Sequence, residues 1–185
     1  MNLEKMLAFH CAPTLVGLKP ANLIAHELMH NYGTPESFER TRQSLIEKGI
    51  FMEQLKACNQ RELTLVYNKV LLQALVKKPE IWGYLFVQGY PMYSGFDRII
   101  EHLKKRIVES GGFPHEVGVF LGYPLVDVLG FIKNKGQNCK FCGYWKVYGD
   151  EDQARCLFES FSKVRDDIFS HVEKGLPIAQ YLEVA

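Results

Sequence analysis

Two histidines four residues apart with a glutamate between them, His26-Glu27-Leu28-Met29-His30, make the sharpest chemical pattern in the chain. On a helix, residues four apart share a face, so both imidazoles would hold one metal ion, zinc or iron. Glu27 would then polarise a bound water as general base. Gly33 lets the chain turn, and Glu36 follows as a third ligand. That combination is the chemistry of metal-assisted hydrolysis.

Three other groups of residues carry possible chemistry. Cys11 is a candidate nucleophile, with His115 rather than the adjacent His10 as its base, because neighbouring side chains point apart. His115 and Glu116 together read as a catalytic pair at a helix start. His10, Lys19, Tyr123, Tyr144, Lys146 and Tyr148 would line a pocket for a planar, anionic ligand. Cys139 and Cys142 have the spacing of a dithiol or half of a zinc site, without a second ligand pair at standard spacing.

Each candidate competes with a plainer role. His26 and His30 fit a solvated helix face, and Glu36 in a first helical turn complements the helix dipole. Cys11 fits an inert buried thiol, Cys139 and Cys142 ordinary thiols at a turn, and the lysines and tyrosines a core with snorkelling tips. With Gly33 and Glu36, the first pattern resembles the metzincin metalloprotease motif, with Glu where that family has His or Asp. Those enzymes also place a Met-containing turn beneath the metal. Tyr90-Pro91-Met92-Tyr93-Ser94 has a different order around its methionine.

The elements that must position these groups follow from periodicity and from the Pro and Gly residues. Pro13 and Pro20 keep the segment between them out of a regular helix. The spacing predicts helices over 20–32 and from Pro35 to Lys48, capped by Thr34 and stopped by Gly49. Strands are predicted over 50–57 and 62–67, and helices over 69–76, 79–88 and 96–107, the last supported by Glu101 with Lys105. The block from Phe113 to Asp150 predicts two helices begun by Pro114 and Pro124 and ended by Gly122 and Gly136. Leu125, Val128, Leu129 and Ile132 form the buried stripe of the second. Tyr144 to Tyr148 follows as an aromatic strand, with Trp145 and Val147 on one face. Asp150 caps a long helix with a stripe from Ala154 to Val172, and Gly175 begins a tail.

The fold class expected is α+β, a small, mainly antiparallel sheet covered by several helices. One domain is expected over 1–185, with its core at about 9–173 and the tail at 175–185. A net charge of +1 gives no electrostatic case for nucleic acid or an acidic membrane. The apolar runs are too short for a membrane span, and the first residues lack the form of a signal peptide. Five cysteines, an odd number at irregular spacing, fit a reducing cytoplasm.

Nearly the whole chain is similar to an uncharacterised bacterial family, DUF3793, common in anaerobic Firmicutes. The residues that carry the resemblance run in order from His10-Cys11-Ala12-Pro13-Thr14-Leu15 and Gly17-Leu18-Lys19 through Leu65-Val66-Tyr67 and Gly89-Tyr90-Pro91. They continue with Phe113-Pro114-His115-Glu116, Phe120-Leu121-Gly122-Tyr123-Pro124, Asp127-Val128 and Gly143-Tyr144-Trp145-Lys146-Val147-Tyr148-Gly149. The resemblance implies a grouping without an activity, and a setting in anaerobic metal or redox metabolism. Three functions stay open: a small-molecule or cofactor-binding domain, a zinc-dependent hydrolase, and a protein-interaction domain.

Overall fold

The computed structural model describes residues 2–27, 32–58, 61–109 and 113–184. Its architecture is α+β, with a three-stranded antiparallel sheet in the order β1-β3-β2 and a separate two-stranded ribbon. Cα packing resolves two compact units, Met1–Leu72 with Phe161–Ala185, and Gln73–Ser160.

The first unit starts with α1, Leu3–Leu15, capped by the Asn2 side chain on the Lys5 amide. Contrary to expectation, Pro13 lies inside this helix. It occupies the last turn, where its own carbonyl accepts from the Leu18 and Lys19 amides and Gly17 takes φ 77°. These bonds, with Gly17 donating to the Thr14 carbonyl, make a Schellman ending.

The segment predicted as a helix from Pro20 is instead β1, Ala21–Glu27, paired antiparallel with β3, Arg61–Asn68. The period of two is hidden because a polar residue takes an inward position. Ile24 and His26 are buried, while Ala25 and Glu27 are exposed. Leu28, Met29 and His30 of the motif lie outside the described residues.

Helix α2, Pro35–Glu47, is capped by Thr34 as expected, and Gly49 at φ 76° turns the chain into β2, Ile50–Cys58. β2 pairs with β3 and bulges between Gln54 and Lys56. Leu7, Cys11, Ile24, Leu45, Val66, Ile168, Val172 and Ile178 share one core on one face of this sheet. The last of these belongs to α9, Ile178–Val184, where a tail was expected. Burying Ile178 offsets the entropy of ordering that turn.

In the second unit, α4 (Pro79–Val87) and α5 (Phe96–Glu109) match expectation. Glu101 pairs with Arg98 at 2.7 Å, and Lys105 with Glu109 at 3.8 Å, rather than with each other. The helix expected to begin at Pro114 begins at Val117 and is one turn long: α6, Val117–Phe120. Pro124 caps α7, Leu125–Lys133. The ribbon strands β4 and β5 are Phe141–Cys142 and Lys146–Val147. Asp150 accepts from the Gln153 amide at 2.9 Å and opens α8, Glu151–Glu173. The chain passes between units within α8 and within α3, Lys69–Val76. Among the described residues no helix is long and apolar enough to cross a membrane.

Candidate functional site

The geometry that the H-E-x-x-H pattern needs is not present at His26. Its Nδ1 lies 2.6 Å from the Glu27 carbonyl, which can only accept, so that nitrogen is a donor. Nε2 meets the Thr64 hydroxyl at 2.9 Å. In the neutral ring both nitrogens are therefore engaged, and the strand sends Glu27 to the opposite face. Glu36 stands exposed at the start of α2, its pKa held below the usual carboxylate value by its own backbone amide and by Thr34. Among the described residues no three His, Cys, Asp or Glu side chains converge as a metal site would require.

Cys11 and Lys19 are brought together in the first unit. Cys11 is fully buried, and desolvation pushes its pKa up to about 12 despite the nearby lysine charge. A thiol in that state is protonated at neutral pH and a poor nucleophile. Lys19 is buried as well, and desolvation lowers its pKa to about 8. His10 lies beside Met6, Ala25, Glu27, Tyr32 and Arg61 along a groove at the β1 edge.

His115, Glu116 and the four remaining ligand candidates belong to the second unit. His115 is exposed, its ring 5.6 Å from that of Phe131. Glu116 is buried and takes two contacts from Arg106, at 2.8 and 2.7 Å. The Tyr90 hydroxyl donates to the same carboxylate at 3.4 Å. Burial and that carboxylate raise the Tyr90 pKa well above the phenol range.

The polar tips on the aromatic segment hold backbone. Lys146 Nζ donates to the Gly136 carbonyl at 2.7 Å, and the Tyr148 hydroxyl to the Gln137 carbonyl at 3.0 Å. The Tyr123 hydroxyl donates to the Tyr144 carbonyl at 3.4 Å, and its ring stacks on Trp145 with centroids 4.8 Å apart. Cys142 lies in β4 and Cys139 just before it, and neither opens a helix.

The residue that organises this region is Asp127, 3% exposed on α7. Oδ2 accepts from the Trp145 indole at 2.7 Å, and Oδ1 from the amides of Tyr148 and Gly149, each at 2.7 Å. The expected stripe is thereby rotated. Val128 is buried beside Asp127, whereas Leu129 and Ile132 are 45% and 38% exposed. Gly130 completes the fit, since a Cβ there would lie 2.5 Å from Tyr148 Cβ.

Above Trp145 opens a cleft of about 530 Å³ between the first turns of α7 and α8. Pro124, Val126, Trp145, Ala154 and Leu157 give it apolar walls, and Asp127, Asp150, Gln153, Cys156 and Ser160 its polar ones. Among the described residues its lining holds carboxylates and no lysine, arginine or histidine.

The family model described as a protein of unknown function, DUF3793, matches residues 7–182. The chain belongs to the DUF3793 family. No curated protein and no solved structure matches it. Reading this DUF3793 chain from periodicity missed Asp127, Thr64 and Arg106, each of which fixes a neighbour in place. The available signal for Asp127 was an acid within an otherwise apolar helix, Leu125-Val126-Asp127-Val128-Leu129.

Proposed function

We propose that this DUF3793 protein is a small-molecule-binding domain whose ligand enters the cleft between α7 and α8. The observation that carries the reading is a floor held in advance, since Asp127 fixes the Trp145 indole and the 148–149 backbone through three hydrogen bonds. Its volume and mainly apolar lining support a drug-sized organic ligand. Two carboxylates without a lining cation favour a neutral or positively charged compound over an anion. The free thiols at Cys11, Cys139, Cys142 and Cys156 support a cytoplasmic setting.

The chain has two tryptophans, so Trp82→Phe leaves Trp145 as the single indole reporter. Titrating that variant with a library of planar neutral and cationic compounds should quench or shift the Trp145 emission for one class. Val126, exposed on the cleft wall, can be replaced without loss of core, and Val126→Arg should abolish that response. Binding that survives Val126→Arg unchanged, or no response from any class, would remove the reading.

A second reading, a protein-interaction domain, is favoured by one exposed aromatic group. Tyr93 is 84% exposed and Phe86 50%, with Trp82 packed against both at 5.2 Å. Tyr90, three residues before Tyr93, is buried and lies outside this group.

A further inference from the structure

The two edges of the three-stranded sheet are built differently. β2 is interrupted by its bulge and exposes Gln54 and Lys56, features that discourage a further strand. β1 keeps an unbroken register from Ala21 to Glu27, without proline, lysine or bulge.

Which backbone groups point outward follows from one bond. The Asn68 amide donates to the Pro20 carbonyl, and antiparallel pairs alternate. Asn22, Ile24 and His26 therefore direct N–H and C=O toward β3, and Ala21, Leu23, Ala25 and Glu27 direct theirs away. Among the described residues no backbone group answers the outward groups of Leu23 and Ala25. His26 Nδ1 takes the Glu27 carbonyl. A groove of about 390 Å³ runs along the same edge, between β1 and the Met6 and His10 side of α1.

We infer that this edge pairs with β1 of a second copy of the chain, antiparallel about Ile24. Leu23 then faces Ala25 of the second copy and exchanges both bonds with it, and the symmetric pair does the same. Glu27, the only formally charged side chain in β1, falls opposite Ala21. The two Glu27 residues stand about 20 Å apart at ~3.3 Å per residue, so no like charges meet. The spacing also suits the helices. α1 packs on both β1 and β3, so one added strand spacing of ~4.8 Å sets the two α1 axes about 10 Å apart. That is helix-packing distance, and it brings Met6 and His10 of both copies together. A lone extended peptide on this edge would lack the helix contact.

Ala25→Pro tests this pairing, because among the described residues nothing accepts the residue 25 N–H and its loss leaves the β1–β3 ladder whole. In sedimentation of the full chain, the mass should double with rising concentration. Ala25→Pro should associate at least tenfold more weakly, a loss of about 1.4 kcal/mol, with an unchanged circular dichroism spectrum. Hydrogen exchange on the unaltered chain supplies a reading that needs no variant. The amides of Leu23 and Ala25 should be protected only at high concentration, and those of Asn22 and Ile24 at all concentrations. A chain that stays monomeric throughout, or a dimer that Ala25→Pro leaves intact, overturns the inference. Leu23 and Ala25 amides protected in the monomer also overturn it, since another segment of the chain would then cover the edge.

Discussion

Replacing Asp127 by asparagine keeps the shape of the side chain and removes one acceptor. If Oδ1 stays on the Tyr148 and Gly149 amides, the new NH2 group confronts the Trp145 indole N–H, two donors where a 2.7 Å bond had been. Flipping the amide moves that conflict onto the two backbone N–H groups. Trp145 is 7% exposed, so little water can replace the lost partner. One lost bond to a charged acceptor, with its donor left buried, costs about 2–3 kcal/mol. Asp127→Ala loses all three and leaves a small cavity, about 4–5 kcal/mol. At about 2–4 °C per kcal/mol for a chain of this length, the Asn variant should melt roughly 5–10 °C lower and the Ala variant lower again. Thermal unfolding followed by circular dichroism gives the size. Trp145 emission in the Trp82→Phe background gives the location, shifting as the indole is released. An Asn variant within about 0.5 kcal/mol of the parent, or one with unaltered emission, would refute the argument that Asp127 holds this turn.

Burial of Lys19 and Cys11 sets a pH profile. Lys19 falls from its ordinary 10.5 to about 8, so the unfolded chain binds more protons above pH 8 and stability rises with pH there. Cys11 rises from 9.0 to about 12, so the folded chain holds its proton longer and stability falls with pH above 9. Urea midpoints should therefore climb between about pH 8 and 9, and Lys19→Met should abolish the climb. Two glycines should separate by mechanism. Gly17→Ala meets only Leu71 Cδ1 at 3.8 Å, and its φ of 77° costs about 1 kcal/mol. Gly130→Ala presses on Tyr148 Cβ at 2.5 Å, an atom that cannot swing aside, and should cost about 2–3 kcal/mol in the same melts.

Where local chemistry decides structure, periodicity and caps located the elements closely. α2, with Thr34 before Pro35 and Gly49 after Lys48, lies where those residues put it. β2 and β3 also agree with expectation to within a residue or so at each end. Two of the failures share one cause, a polar side chain on an inward face. His26 hid the alternation of β1, and Asp127 turned the expected stripe of α7. Both are buried because a distant residue satisfies them, Thr64 for the first and Trp145 for the second. That pairing depends on tertiary structure and is invisible in a local window. The site suffered the same way. The tips of Lys146 and Tyr148 read as ligand contacts, because nothing local tells a side chain that binds a ligand from one that binds a carbonyl.

The division of the chain into an outer and an inserted unit constrains how it is made. Gln73–Ser160 is continuous and leaves the ribosome whole, free to collapse on its own contacts. The other unit is written in two instalments. Its helix and sheet emerge before Gln73–Ser160, yet Ile168, Val172 and Ile178, which complete their core, emerge only after it. During that interval the core around Leu7, Cys11 and Ile24 lacks the cover that Ile168, Val172 and Ile178 supply, and apolar surface stays exposed. The unit begun second is the one able to mature first.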